Sequence, residues 1–188
     1  MSKVLVIPGS QRKGSLNLQL ATLVAERLKQ HQAQPTLVDL RALALPIYDG
    51  DLEAEQGVPV GAKALVEQFA ASDAVVVVSP EYNAFPPPLL MNAIDWATRV
   101  PEHKTAMGGK PCLLASASPG ALGGLRSLLA LRQFLALNPG LVVMPMQFGL
   151  PQANKAWAGD TLADAKQLAT LDGALQALVD AAAKLRSR

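Results

Sequence analysis

Residues 3–21 read KVLVIPGSQRKGSLNLQLA, and the architecture follows from them. An apolar run from Val4 to Ile7 stops at Pro8-Gly9, a short polar segment carries Ser10, Arg12, Ser15 and Asn17, and a helical pattern begins at Leu16. A strand that passes through a hydroxyl-rich turn into a helix start is a way to hold a phosphate. Helix N-termini present unpaired backbone N–H groups and a partial positive charge. Hydroxyls, an amide and a guanidinium add donors that fit phosphate oxygens. The segment is not a dinucleotide fingerprint, because it offers only Gly9 and Gly14 and lacks the third glycine that allows close helix packing. Nor does it contain the Gly-Lys-Ser/Thr of a nucleotide-triphosphate loop. Side-chain donors of this kind suit a terminal phosphate monoester. A nucleotide, a sugar phosphate and an ordinary turn with Ser15 as helix cap all remain compatible with it.

Outward from this stretch, strand and helix alternate. Residues 16–30 place Leu16, Leu20, Leu23, Val24 and Leu28 at helical spacing. A short strand is expected at 36–40, then a long connection rich in Pro, Gly and acid from 41 to 59, then a helix over 62–71. Residues 73–79, DAVVVVS, show no polar alternation, as expected of a strand buried on both faces at the centre of a parallel sheet. Pro86, Pro87 and Pro88 can lie only at or before a first helical turn, so a helix is expected from there to about Arg99. A strand over 110–116, a helix over 125–137, a fifth strand at 141–144 and a final helix over 162–185 complete the pattern. The class is α/β, a doubly wound parallel sheet with right-handed crossovers in one domain over residues 1–188.

Half of the 188 residues are hydrophobic and 17% are charged, which excludes a disordered chain and points to surface covered by a partner subunit. The net charge of +2 comes from scattered Lys and Arg, without the basic stripe or aromatic pattern of a nucleic-acid binder. The single Cys112 excludes an intrachain disulfide framework and, within an apolar strand, reads as a small buried group. No apolar span reaches the length of a membrane helix and no secretory signal is read at the start, so a cytoplasmic protein without membrane partners is expected. His31 and His103 have no ligand-spaced partners, so no metal is expected. The acidic run Asp49, Asp51, Glu53, Glu55 reads as a solvated or partner-contacting loop.

In an open parallel sheet, ligands bind outside the carboxyl ends of the strands, where strand order reverses. Three loops leave such ends with unusual composition: 9–15, 80–86 and 116–124. The second, with Pro80, Glu81, Tyr82 and Asn83, combines a carboxylate, an aromatic and an amide with prolines that stiffen the backbone, a combination able to read the edge of a flat ring. A solvated Glu81 and a packed Tyr82 are the plainer alternatives. The third is rich in glycine and small residues, which lets a bulky ligand lie against backbone.

Taken together, these segments resemble the NADPH-dependent FMN reductase family. GSQRKGSLNLQLA is similar to its G-S-x-R-x-x-S-x-N-x-x-L-A signature, SPEYNAFPPPLLMNAIDW to its P-E-Y-N and L-K-N-A-I-D-W segment, and GGKPCLLASASPGALGGLR to its G-K-P and S-x-x-G-x-x-G-G stretch. The resemblance runs in register from about Lys3 to Leu137. It implies a flavodoxin-like sheet of order 2-1-3-4-5 with helices on both faces. It also implies an FMN-dependent oxidoreductase that passes hydride from NADPH or NADH, through FMN, to quinones, flavins, azo compounds or metal oxyanions such as chromate. By the same resemblance the FMN phosphate falls to Ser10, Arg12, Ser15 and Asn17, with Leu16 also among the cofactor-binding residues. Pro80, Glu81, Tyr82 and Asn83 frame the ring, and Ser116, Ser118, Gly120 and Gly123 hold its other side. No residue is assigned as general acid or base, because the cofactor carries the chemistry. Met91 stands where the family has Lys, and the run Pro86–Pro88 is unusual for it, which bears on subunit contacts and on the choice of nicotinamide cofactor. The family forms dimers with flavin sites near the interface, so a homodimer or homotetramer is implied, with Trp96 shared between core packing and a subunit face. The competing function is a flavodoxin-like electron carrier without nicotinamide chemistry. Carriers of that type use a strongly acidic face, which the +2 balance disfavours.

Overall fold

The opening apolar run forms β1 (Lys3–Pro8), buried from Val4 onward. The computed structural model describes residues 1–186. After β1 come α1 (Leu16–Gln30), β2 (Gln34–Leu37), α2 (Gly50–Gln56), α3 (Val60–Ala70), β3 (Ala74–Val78), α4 (Pro88–Ala97) and α5 (His103–Met107). The remainder comprises β4 (Pro111–Ala117), α6 (Leu125–Leu137), β5 (Val142–Leu150), a short hairpin of β6 (Trp157–Ala158) and β7 (Thr161–Leu162), and α7 (Ala165–Arg186). Five parallel strands form one sheet in the order β2-β1-β3-β4-β5, as the resemblance implied.

Alternation along each strand sends successive side chains to opposite faces. Leu5, Ile7, Val75, Val77, Cys112 and Leu114 pack against Leu65 and Phe69 of α3, Leu90 and Trp96 of α4, Met107 of α5 and Leu128 and Leu131 of α6. On the other face Val4, Val6, Val76, Val78, Leu113 and Ala115 meet Leu20, Val24 and Leu28 of α1 and Leu171, Leu175 and Leu178 of α7. All of β3 is buried because it has a strand on either side and helices over both faces. Burial pushes the Cys112 thiol up to about 12, which leaves it without thiolate character near neutrality.

Several boundaries differ from those read in the sequence. Strand β2 ends at Leu37; Val38 and Leu40 extend the apolar pattern but bury beyond the ladder, although the Val38 N–H still donates to the Val6 carbonyl at 2.9 Å. Strand β5 runs on to Leu150, because its pairing with β4 shifts register between Cys112 and Leu114 and then resumes. Pro145, which has no N–H to give, falls in that irregular stretch of an edge strand. Leu162 belongs to β7, and the final helix starts only at Ala165, where Asp164 Oδ1 accepts from the Lys166 N–H at 2.8 Å. The acidic run is no loop: Asp49 caps α2 by accepting from the Asp51 N–H at 2.8 Å, and Asp51 and Glu53 sit in the first turn, where negative charge suits a helix N-terminus.

Trp96 is wholly buried and belongs to the core. Its indole N–H donates to the Pro46 carbonyl at 2.7 Å, and Asn92 Nδ2 donates to the same oxygen at 2.8 Å. Asn92 Oδ1 accepts from the Tyr48 N–H at 2.8 Å, and the Tyr48 ring meets Trp96 edge-on at 5.0 Å. These two residues of α4 therefore pin the long connection between β2 and α3.

Candidate active site

Strand order reverses between β1 and β3, so the loops that follow them diverge and leave a crevice at their carboxyl ends. The Gly9 N–H donates to the Val78 carbonyl at 2.8 Å, which extends the pairing into the first loop. A side chain at Gly9 would lie 3.3 Å from Leu90 and Pro80, tighter than ordinary contact, so this turn is built around the missing Cβ. Between the loops lies a cleft of about 130 Å³ lined by Ser10, Arg12, Ser15, Leu16, Asn17, Pro80, Glu81, Tyr82 and Ser118, with Ala117 and Pro119. Sites that enclose a whole drug-sized ligand span roughly 300–1,000 Å³, so this cleft has room for only one end of such a ligand. A larger cavity of about 800 Å³ lies between Lys63, Val66 and Ala70 of α3 and Val100–Ala106. It flanks the segments that lead into β3 and β4, at the opposite end of the strands from the crevice.

At the first loop Ser15 caps α1, accepting from the Leu18 N–H at 3.2 Å. Leu16 and Asn17 line the cleft from the first turn of α1, where backbone N–H groups have no intrahelical acceptor and the helix dipole is positive. Arg12 is exposed, its guanidinium held among the described residues by a long 3.5 Å contact with the Lys13 carbonyl. The Asn17 side chain is buried and already engaged: Nδ2 donates to the Ala117 carbonyl at 2.8 Å, and Oδ1 accepts from the Ala117 N–H at 2.9 Å. Its amide joins α1 to the end of β4 and leaves Ser10, Arg12, Ser15 and the main chain at Leu16 and Asn17 as the donor set. A donor set without a carboxylate, at a helix N-terminus, fits a phosphate.

The second loop turns back tightly. Tyr82 and Phe85 exchange both backbone hydrogen bonds at 2.9 Å, with Asn83 and Ala84 between them at φ of +50° and +64°. A two-residue turn with both central φ positive is a type I′ geometry, unusual for Ala. It sets Tyr82 and Phe85 about half exposed and puts Asn83 at the tip, outside the cleft lining. Glu81 is turned inward. Its Oε2 accepts from the Arg126 N–H at 3.1 Å and the Ser127 N–H at 3.3 Å, and its Oε1 accepts from Arg126 Nε at 2.8 Å and from Nη2. Burial alone would raise this carboxyl, but the guanidinium and the two N–H groups outweigh it and hold Glu81 below its usual range. It is neither a solvated acid nor an open ligand; it caps α6.

The third loop backs against β5. The Ser118 N–H donates to the Leu150 carbonyl at 3.1 Å, and Gly123, at φ +58°, lies so close to the Gly149–Leu150 backbone that a Cβ would come within 3.0 Å. Ser118 lines the cleft; Gly120 and Gly123 shape the loop behind it. Ser116 is fully buried beneath Gly124, whose added Cβ would fall 1.9 Å from Ser116 Oγ, and that hydroxyl has no protein partner among the described residues. Arg126, Asn92, Trp96 and Gly124 had not been singled out for these contacts. Each partner lies from eight to more than forty residues away along the chain, and no local pattern marks the pairs.

A model of the NADPH-dependent FMN reductase family matches residues 2–155. The chain belongs to that family. A quinone reductase of Escherichia coli (strain K12) is 40% identical over 149 residues, covering 78% of this chain and 76% of that protein. A quinone reductase of Pseudomonas putida is 39% identical over 135 residues, covering 70% and 68%. Among solved structures FerB, a flavoenzyme NAD(P)H:(acceptor) oxidoreductase from Paracoccus denitrificans, superposes with a TM-score of 0.81 at 34% identity, covering 98% of both chains. As a member of the FMN reductase family the chain is an enzyme, a flavin- and NAD(P)H-dependent oxidoreductase.

Proposed function

We propose that this reductase passes hydride from NAD(P)H, by way of FMN, to small-molecule acceptors, with quinones first and free flavins, azo compounds and metal oxyanions such as chromate as further candidates. The observation that carries this reading is the convergence of Ser10, Arg12, Ser15 and the α1 N-terminus with the Tyr82 turn around one cleft. The names of the similar quinone reductases favour quinone among the acceptors. FMN, when bound, supplies two-electron chemistry. The chain's own part is to hold the phosphate with Ser10 and Ser15 hydroxyls, the Arg12 guanidinium and the Leu16 and Asn17 N–H groups. Pro80, Glu81 and Tyr82, with Asn83 at the turn tip beyond the cleft, form one wall toward the ring, and the Ser118–Gly123 segment, over the buried Ser116, the other. No side chain is asked to move a proton.

The same reading takes the chain as a single flavodoxin-like domain, cytoplasmic, and assembled as a homodimer or homotetramer. Among the described residues no helix is long and apolar enough to cross a membrane. Ile47, Phe85 and Leu129 are each more than half exposed, apolar surface of the kind that a second subunit covers.

The test is a single preparation. Purified protein should be yellow, hold about one FMN per chain, and oxidise NADPH or NADH when a quinone is added. A yellow protein indifferent to both nicotinamides would support an electron carrier instead. Arg12→Ala should weaken FMN binding by about 1.5–3 kcal/mol, the scale of a hydrogen bond to a charged group. Unchanged affinity in a fluorescence titration would place the phosphate elsewhere.

A further inference from the structure

Glu81 and Arg126 join the two walls of the cleft. The carboxylate leaves the loop after β3, and its four hydrogen bonds all end on the first turn of α6, the helix that closes the 118–124 loop. Ser127 Oγ reinforces the junction by donating to the Pro80 carbonyl at 3.0 Å. The Glu81 side chain is 9% exposed, against 60% for Arg126. Here a largely covered carboxylate sits against a guanidinium and the positive end of a helix, beside the Tyr82 wall.

Resting on the FMN reading above, we propose that Glu81 and Arg126 are positioning residues that set the reduction potential of the bound flavin, each cancelling the field of the other at the ring end of the cleft. Reduction adds negative charge to a flavin, so an uncompensated cation nearby favours the reduced form and an uncompensated carboxylate the oxidised form. With both present, the ring end is close to neutral. The Glu81 side chain is the better covered of the two charges, so its field is screened less than that of a carboxylate on the open surface, and removing one charge of the pair leaves the other uncompensated. A purely structural latch would behave differently, because breaking it from either side would loosen the same two walls.

The experiment compares FMN-loaded wild type with Glu81→Gln, Arg126→Met and Arg126→Lys by spectroelectrochemical titration at pH 7. Glu81→Gln should raise the midpoint potential and Arg126→Met should lower it. Each shift should correspond to about a tenfold change in the preference for reduced over oxidised flavin, about 30 mV for a two-electron couple. Arg126→Lys, which keeps the charge and loses the fork, should stay near wild type. Shifts of the same sign in Glu81→Gln and Arg126→Met, or no shift in either, would overturn the proposal. Should Glu81→Gln fail to fold, the contrast between Met and Lys at position 126 decides alone. Failure of wild type to take up FMN is a separate result, which would remove the FMN reading and this proposal with it.

Discussion

Asn83 and Ala84 both hold the left-handed backbone conformation at the tip of the Tyr82 turn, and only one of them has a side chain suited to it. Asn tolerates that region; Ala pays about 1–2 kcal/mol for it. Ala84→Gly should therefore stabilise the protein by about 0.5–1 kcal/mol, after the added freedom of the unfolded chain is subtracted. A higher urea midpoint with unchanged slope would show this, whereas a lower midpoint would mean that the Ala84 methyl makes contacts worth more than the strain. The neighbouring Glu81 marks how far single residues could be read. Its type and place beside Pro80 and Tyr82 were legible, and so was its nearness to a ligand cleft. Its partner was not, because Arg126 lies 45 residues on and nothing in either local pattern refers to the other. Ser116 is a similar case. Its motif position was readable, but its burial under Gly124 depends on how α6 sits on β4.

At the scale of elements, α1 does two jobs at one end. Its cap Ser15 and first-turn residue Leu16 line the cleft, while Asn17 bridges both backbone groups of Ala117 across 100 residues of sequence. Asn17→Ala should leave a buried N–H and C=O without partners and destabilise the protein, free of any ligand, by about 2–4 kcal/mol. Denaturation of the flavin-free variant measures this. Full stability with weakened FMN binding would instead mean that the Asn17 side chain serves the ligand directly. On α4, Asn92 and Trp96 converge on one carbonyl, Pro46, and fix the long connection between β2 and α3. The resemblance left Trp96 shared between core packing and a subunit face. It did not show that the connection, with its own short helix α2, would lie across that face instead of a second subunit.

Across the whole molecule, charge is paired between distant elements. Arg27 of α1 binds Asp172 of α7 with Nε at 2.7 Å, and His31 Nε2 lies 3.3 Å from the same carboxylate. Burial opposes ionisation of Asp172, but bonds from Arg27 and His31 hold its carboxyl below the ordinary 3.8, as Arg126 holds Glu81 below 4.5. For a carboxyl depressed in the folded state, the stabilisation is complete above the unfolded value and disappears as pH falls through the folded one. Unfolding free energy should thus be flat in these two groups above about pH 5 and decline below about pH 4. Denaturant melts at pH 7, 4 and 3 check it, with Asp172→Asn losing less over that interval than wild type. An equal acid dependence in both would show that the pair contributes nothing to it.

The stretch from Lys3 to Ala21, the unbroken valines of β3 and the regular return of helical spacing were enough to specify an α/β sheet. Local sequence carries that information because burial on both faces removes polar alternation and because a strand–turn–helix passage has its own residue preferences. The donors at the α1 N-terminus were legible for the same reason: they lie within eight residues of one another. The pairing of the walls, Glu81 with Arg126 and Asn17 with Ala117, was decided by the tertiary structure, as were the burial of Trp96 and the irregular reach of β5. Each is a contact between segments that only the order of strands in the sheet brings together, and strand order is a property of the packed whole.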